Sequence, residues 1–234
     1  MMLNCQLLVA DLVGTTLADD GAVEKAMREA VTAAGLRWDA VGFAGVRGRN
    51  KKDAIRTLLE TQGRPAAEAE AIHDAFSEAL VRHYARAPLG WAPGADAAFR
   101  KLHAGGVRLV LATGFPAPIR DAIAPRVPWR DSLSAFLSGD DVARGRPAPD
   151  LVQEAMRRTG VREARQVAVV GDTAADVQCG RAAGAGLVIA VTAGTTSRRD
   201  LEALHPDALI ESVAELPAVL GIERRNEQGR ASEK

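Results

Sequence analysis

The sequence predicts an α/β fold in which a Rossmann-like, doubly wound parallel sheet carries a small inserted helical domain. Short apolar segments end in polar turn residues at Asp11, Thr113 and Asp172, as buried parallel strands do. From Ala95 onward, segments of strand and helix character alternate, which is typical of a doubly wound sheet. Between residues 17 and 88 only helical periodicity occurs, which indicates an insertion.

The first predicted strand covers residues 5–10, and a long helical stretch follows it. Apolar residues recur there at helical spacing and predict helices over residues 22–34, 51–62 and 66–85. Turn-rich segments at 18–21 and 87–94 connect this stretch to the rest of the chain and form a plausible hinge. We therefore expect a core domain (residues 1–16 and 89–222), a helical insert (residues 17–88) and a flexible, polar tail (residues 223–234).

The second part of the chain predicts a regular alternation. Helices are expected at 95–104, from 116 onward, at 151–159 and at 174–183. Strands are expected at 107–113, 135–138, 167–172 and 187–192, with a further edge strand at 208–210. This pattern places the carboxyl ends of several parallel strands at one edge of a sheet.

Composition narrows the class of protein. The 234 residues include 47% hydrophobic ones, enough for a large core, and 30 basic residues balance 30 acidic ones. Because no basic field results, nucleic acid is not an expected partner. No basic leader and no apolar run of about 18 residues occurs, so we expect neither membrane association nor secretion but a cytoplasmic protein. Cys5 and Cys179 lack metal-ligand spacing and are expected to pack in the core.

Candidate functional residues follow the predicted strands. Asp11 enters a tight Gly-Thr turn after the first strand, which is how a nucleophilic carboxylate is presented. Thr113 follows a second strand, and Asp172 and Asp176 follow a third; Arg146 lies between them in the sequence Gly-Arg-Pro. Because parallel strands end at one crevice, we expect a nucleophile, a hydroxyl, a cation and two further carboxylates to converge there.

This ordered set resembles the motifs of the haloacid dehalogenase superfamily from Leu7 to about Pro217. The resemblance implies that Asp11 attacks phosphorus and forms an aspartyl phosphate. It implies Mg²⁺ as cofactor, and it implies phosphoryl binding with charge compensation by Arg146. It also implies that the helical insert closes over the site. The expected metal ligands are Asp11, the main-chain carbonyl of Val13, Asp172 and Asp176; the expected phosphoryl contacts are Gly14, Thr15, Thr113 and Gly114.

Val13 departs from the superfamily pattern. Phosphatases of the superfamily carry a second Asp there, which protonates the leaving group. Dehalogenases also lack this Asp but need no Mg²⁺, so the retained Asp172 and Asp176 argue against dehalogenation. The run Asp-Leu-Val-Gly-Thr-Thr at residues 11–16 and the Arg at position 146 look like the phosphonoacetaldehyde hydrolases, or phosphonatases, which have Ala at position 13 and Arg in the third motif.

Phosphonatases form an imine between a lysine of the insert and the substrate aldehyde. Lys51 lies at the matching place after Gly48, and nearby Arg49 and Lys52 would lower its pKa. Arg47 stands where the phosphonatases have Met, and Ala54 where they have His. Three roles remain open for Lys51: imine formation, binding of a substrate anion, or a solvated position at the start of a helix. Arg47 and Arg49 suit a carboxylate or a second anionic group on the substrate.

The sequence therefore predicts a Mg²⁺-dependent hydrolase of a small phosphonate. A phosphatase acting on a small ester such as phosphoglycolate, with its acid elsewhere, is the alternative. A catalytically silent phosphate-binding relative is a further alternative. A homodimer formed through the helical insert is common in the resembling branch.

Overall fold

The computed structural model describes residues 4–222; the predicted tail at 223–234 lies outside the described residues. Six strands form one sheet in the order β3-β2-β1-β4-β5-β6, and every neighbouring pair is parallel. This confirms the predicted α/β fold. The strands are β1 (Leu7–Ala10), β2 (Arg108–Ala112), β3 (Leu133–Leu137), β4 (Val167–Gly171), β5 (Leu187–Val191) and β6 (Ala208–Ile210).

Alternate residues of the central strands pack on opposite faces of the sheet. Leu8 of β1 belongs to one buried cluster together with Phe99 and Trp129. Its neighbour Val9 belongs to another, together with Leu151. Because both faces are covered, the central strands are apolar throughout, as a doubly wound sheet requires. The helices of this part are α5 (Ala95–Ala104), α6 (Ala117–Ile123), α7 (Asp150–Thr159), α8 (Ala174–Ala182), α9 (Arg198–Glu202) and α10 (Leu216–Val219).

Four helices form the insert between β1 and α5: α1 (Ala22–Ala33), α2 (Ala40–Gly45), α3 (Lys51–Glu60) and α4 (Ala69–Arg86). Their apolar faces form one cluster around Met27, Ile55 and Phe76, and Ile119 and Ile123 of α6 join it. The helical insert thus packs directly against the helix that follows β2. None of the helices in residues 4–222 combines the length and apolarity needed to cross a bilayer.

The sequence did not predict α2. Its six residues, two of them glycine, are too short to display a helical period. The available signal was Asp39, whose side chain caps the helix by accepting hydrogen bonds from the N–H groups of Val41 and Gly42, both at 3.0 Å. The other helices of the insert were predicted, and their ends differ from the prediction by at most three residues.

Candidate active site

Asp11 follows the last residue of β1 and is fixed by its main chain. Its N–H donates to the carbonyl of Val170 at 2.9 Å, which ties it to β4, and its own carbonyl accepts from the Thr16 hydroxyl at 2.9 Å. Gly14 completes the turn with a φ of 89°, a conformation that favours glycine. A Cβ at this position would also lie 2.6 Å from the Asp172 carboxyl carbon. Gly14 therefore lets the turn approach Asp172.

Three carboxylates converge at this edge of the sheet. Oxygen atoms of Asp11, Asp172 and Asp176 lie within 4.8 Å of one another, and the three residues are 7%, 0% and 2% exposed. The guanidinium of Arg146 pairs with Asp11 through Nη2 and Oδ1 at 2.7 Å and also contacts Asp176. The structure thus brings together these four residues, which the sequence predicted to converge.

Asp172 is held by hydroxyl and amide donors rather than by a cation. Thr15 donates to its Oδ1 at 3.1 Å, while the amide and hydroxyl of Thr195 donate to its Oδ2 at 2.9 and 3.1 Å. Burial raises the pKa of Asp172 to about 6, and the charge of Asp11 acts in the same direction. The cluster therefore carries more negative charge than Arg146 alone compensates.

This donor set fits a hard divalent cation. Buried carboxylate oxygens at short mutual distances are the ligands that Mg²⁺ prefers, and the raised pKa of Asp172 shows the energetic cost of leaving its charge uncompensated. Asp176 also closes the cap of α8, because its Oδ2 accepts from the Thr173 N–H at 3.1 Å. Val13 lines the neighbouring cavity with a side chain that cannot carry a proton.

The end of β2 supplies Thr113 and Gly114, which line the same cavity as Asp11 and Arg146. Thr113 is 3% exposed, and its hydroxyl oxygen accepts from the Phe115 N–H at 3.2 Å. The carbonyl of Gly114 accepts from the Lys51 N–H at 3.3 Å. The start of α3 is thereby fastened to the end of β2.

Lys51 reaches the cavity from the helical insert and is buried. Its Nζ donates to the carbonyl of Arg49 at 3.3 Å and lies 5.5 Å from the centre of the Phe115 ring. Burial lowers the pKa of Lys51 from 10.5 to about 8, and the positive charge of Arg146 acts in the same direction, against the opposite effect of Asp11. Roughly one Lys51 in ten is then uncharged at pH 7.

A glycine lets this segment approach the sheet. Gly48 has a φ of 74°, and a Cβ there would lie 2.9 Å from the Cβ of Thr173. Asn50 then caps α3 by accepting from the N–H groups of Lys52 and Asp53 at 2.9 and 3.3 Å. These two features hold Lys51 in the cavity that Asp11 also lines.

The two predicted arginines of the insert occupy different places. Arg47 lines the cavity that contains Asp11, where its Nη2 pairs with Oε2 of Glu24 at 2.6 Å. Arg49 lines a neighbouring groove beside Pro147 and Gln178, to which Arg47 also contributes. Gly14 and Thr15 lie against Asp172 and are not part of the cavity lining described for residues 4–222.

Sequence reasoning missed Asp19, Glu24, Thr173 and Thr195, which all line the cavity. Thr195 follows β5 in the sequence Ala-Gly-Thr-Thr, so its position after a strand was a usable signal. Glu24 lies within the amphipathic helix α1, where a charged residue normally indicates only a solvated face.

Comparison with known proteins identifies the family to which the sequence belongs. The sequence matches the haloacid dehalogenase-like hydrolase family over residues 5–184. A phosphoglycolate phosphatase from a plasmid of Cupriavidus necator is 33% identical over 227 residues, covering 93% of this chain and 94% of that protein. A phosphonoacetaldehyde hydrolase of Bordetella pertussis is 29% identical over 265 residues, covering 96% of this chain and 95% of that protein.

Among solved structures, a phosphonoacetaldehyde hydrolase-like protein from Oleispira antarctica shares the fold with a TM-score of 0.81 at 21% identity, over 98% of this chain and 96% of that one. The resemblance to the haloacid dehalogenase superfamily inferred from the motifs is confirmed, and phosphonoacetaldehyde hydrolases are among the proteins that the chain resembles. The chain belongs to the haloacid dehalogenase-like hydrolase family and is a hydrolase.

Proposed function

We propose that this protein is a Mg²⁺-dependent hydrolase that cleaves the phosphorus–carbon bond of a small phosphonate, phosphonoacetaldehyde or a relative. One observation carries the proposal: the amine of Lys51, buried and with a pKa of about 8, lines the same cavity as the Asp11 carboxylate. An amine that is partly uncharged at neutral pH can add to an aldehyde. Val13, which offers no acid, fits a reaction whose leaving group needs none.

The metal would be held by Asp11, Asp172 and Asp176 together with the main-chain carbonyl of Val13. When bound, Mg²⁺ supplies positive charge that offsets the repulsion between the nucleophile and the phosphoryl oxygens. Arg146 adds a fixed positive charge beside Asp11. The hydroxyl of Thr113 and the N–H of Gly114 are suited to donate to phosphoryl oxygens.

The reaction proceeds in two halves. Lys51 adds to the aldehyde carbon and, with loss of water, forms a protonated imine. An oxygen of Asp11 then attacks phosphorus; the phosphorus–carbon bond breaks, and its electron pair moves into the carbon chain as an enamine. Protonation of the enamine carbon gives back the imine; water then hydrolyses the imine and the aspartyl phosphate, which releases phosphate and the aldehyde that has lost its phosphono group.

The helical insert acts as the cap of this site. Its Arg47 and Lys51 face the cavity, and it is joined to the core by residues 18–21 and 87–94. Closing it excludes bulk water while the imine forms and the phosphorus–carbon bond breaks.

Borohydride trapping tests the proposal. Turnover of phosphonoacetaldehyde in the presence of borohydride should inactivate the enzyme and leave a reduced adduct on Lys51, identified by mass spectrometry. Lys51→Arg keeps the charge but should give neither adduct nor turnover. Lys52→Arg is the matched control, because Lys52 pairs with Glu70 outside the cavity, and it should label on Lys51 as the wild type does. An adduct on another lysine, or turnover in Lys51→Arg, would contradict the imine.

A phosphatase acting on a small ester such as phosphoglycolate is the second candidate. Arg47 in the cavity favours it, as does the 33% identity to a phosphoglycolate phosphatase. Mg²⁺-dependent release of phosphate from phosphoglycolate, with no lysine adduct, would replace the first proposal with this one. Ligand binding without turnover of either substrate would indicate a silent relative.

A further inference from the structure

An ion pair lies on the side of the cavity that the helical insert provides. Arg47 and Glu24 both line the cavity, and Nη2 of Arg47 lies 2.6 Å from Oε2 of Glu24. The guanidinium carbon of Arg47 also lies 5.3 Å from the centre of the Phe43 ring, within the range of a cation–π contact. A carboxylate and an aromatic face thus engage this arginine where the insert faces the site.

The remaining lining of this side offers little to an anion. Asp19 adds a second carboxylate, and Val13, Val23 and Phe43 are apolar. Lys51 also places an amine of the insert in the cavity. In the proposed reaction this amine becomes the imine nitrogen and is not available to bind a second anionic group. A leaving group with its own negative charge would meet two carboxylates, and it would share the charge of Arg47 with Glu24. Specificity often rests on such an unfavourable contact with the wrong ligand.

We propose that Glu24 determines specificity by keeping Arg47 in an ion pair, so that the cavity selects substrates whose leaving group is small and uncharged over those with a second anionic group. This inference rests on the proposed function for the position of the phosphoryl group beside Asp11. It narrows the substrate class further, because an aldehyde fits this lining and a carboxylate does not. It thereby separates the two candidate functions.

Binding of two unreactive phosphonates tests this directly. Phosphonoacetate carries a carboxylate beside its phosphonate group, 2-hydroxyethylphosphonate carries an uncharged hydroxyl in its place, and neither can form an imine. Dissociation constants are measured by calorimetry in the presence of Mg²⁺ for the wild type and for Glu24→Gln. Glu29→Gln is the matched control, because Glu29 is an exposed residue of the same helix and undergoes the same change of charge.

The wild type should bind 2-hydroxyethylphosphonate more tightly than phosphonoacetate. Glu24→Gln should shift the ratio of the two dissociation constants about fivefold toward phosphonoacetate, the upper range for a partly exposed ion pair, and Glu29→Gln should leave the ratio unchanged. A ratio that does not respond to Glu24→Gln overturns the proposal. A Glu24→Gln variant that binds phosphonoacetate more weakly also overturns it, because Glu24 would then orient Arg47 toward the anion.

A second variant isolates Arg47. In Arg47→Ala, the Glu24→Gln change should lose most of its effect, because no guanidinium remains to be released; an undiminished effect contradicts the role given to the pair. Inorganic phosphate serves as the common reference. If neither phosphate nor either phosphonate binds, the proposed function itself is wrong, whereas binding with an insensitive ratio rejects only the role of Glu24.

Discussion

The two sides of the cavity are built in different ways. On the side of the sheet, Asp11, Asp172 and Asp176 are at most 7% exposed, and each is fixed by hydrogen bonds or by Arg146. On the side of the insert, the side chains of Arg47 and Glu24 are 27% and 38% exposed. Lys51 is the exception on that side, since it is as buried as the carboxylates. The rigid side suits bond making and breaking, and the exposed side suits recognition of the leaving group.

The largest effect is expected from the rigid side. Asp11→Asn should lower turnover roughly 10⁴-fold or more, because the amide cannot attack phosphorus. The change preserves the shape of the side chain, and Arg146 keeps its contact with Asp176. Phosphate release from phosphonoacetaldehyde and from phosphoglycolate measures the loss.

Circular dichroism provides the control for this variant, since the folded state should persist. Substantial turnover in a folded Asp11→Asn protein would show that Asp11 is not the nucleophile. The contrast between the two sides would then lose its chemical meaning.

The next effect is expected from Lys51, which is buried on the side of the insert. Lys51→Met should abolish imine formation and yet increase the free energy of unfolding by about 1 to 3 kcal/mol at pH 7. The pKa of Lys51 falls from 10.5 to about 8 on folding, so charged lysine costs stability in the folded state. Methionine has a similar length and packs well against an aromatic ring such as Phe115. Urea denaturation measures the difference.

The pH dependence of the unfolding free energy tests whether charged Lys51 destabilises the folded state. Because the pKa is lower in the folded state, the cost of Lys51 is fully present below pH 8, shrinks between pH 8 and 10.5, and disappears above. The gain from Lys51→Met should therefore be smaller at pH 9 than at pH 7. Lys52→Met, at a partly exposed position, should change stability by less than about 0.5 kcal/mol. Equal stabilities at pH 7 for Lys51→Met and wild type would show that Asp11 and Asp172 fully compensate the ammonium.

The same contrast explains what the sequence could predict. Asp11, Thr113 and Asp172 follow apolar strands, and parallel strand ends must meet at one edge, so their convergence follows from local pattern alone. Arg146 lies in a loop, and its place beside Asp11 was inferred from the order of the motifs. The sheet order and the direct contact of α6 with the insert depend on packing between distant segments, which periodicity does not encode.

On the side of the insert, the local sequence pattern did not show which of two neighbouring residues lines the cavity. Arg47 and Arg49 have the same chemistry two residues apart, but of the two only Arg47 lines the cavity, because the positive φ of Gly48 turns the chain between them. Glu24 looks like an ordinary charge of an amphipathic helix, and its pairing with Arg47 joins residues 23 positions apart. Recognition residues on a loop and a helix face depend on how the insert docks.

The smallest effect is expected from Thr195, which supports the rigid side without touching the reacting atoms. Thr195→Val removes the hydroxyl that donates to Oδ2 of Asp172 at 3.1 Å, while the main-chain N–H at 2.9 Å and the Thr15 hydroxyl remain. Loss of one donor that orients a metal ligand typically weakens metal affinity about tenfold. The Mg²⁺ concentration that gives half of the maximal thermal stabilisation should rise by this factor, and Thr195→Ser, which keeps the hydroxyl, should restore it. Unchanged Mg²⁺ affinity in Thr195→Val would mean that the main-chain donor alone orients Asp172. The rigidity of this side would then come from the backbone, and its side-chain hydrogen bonds would be dispensable.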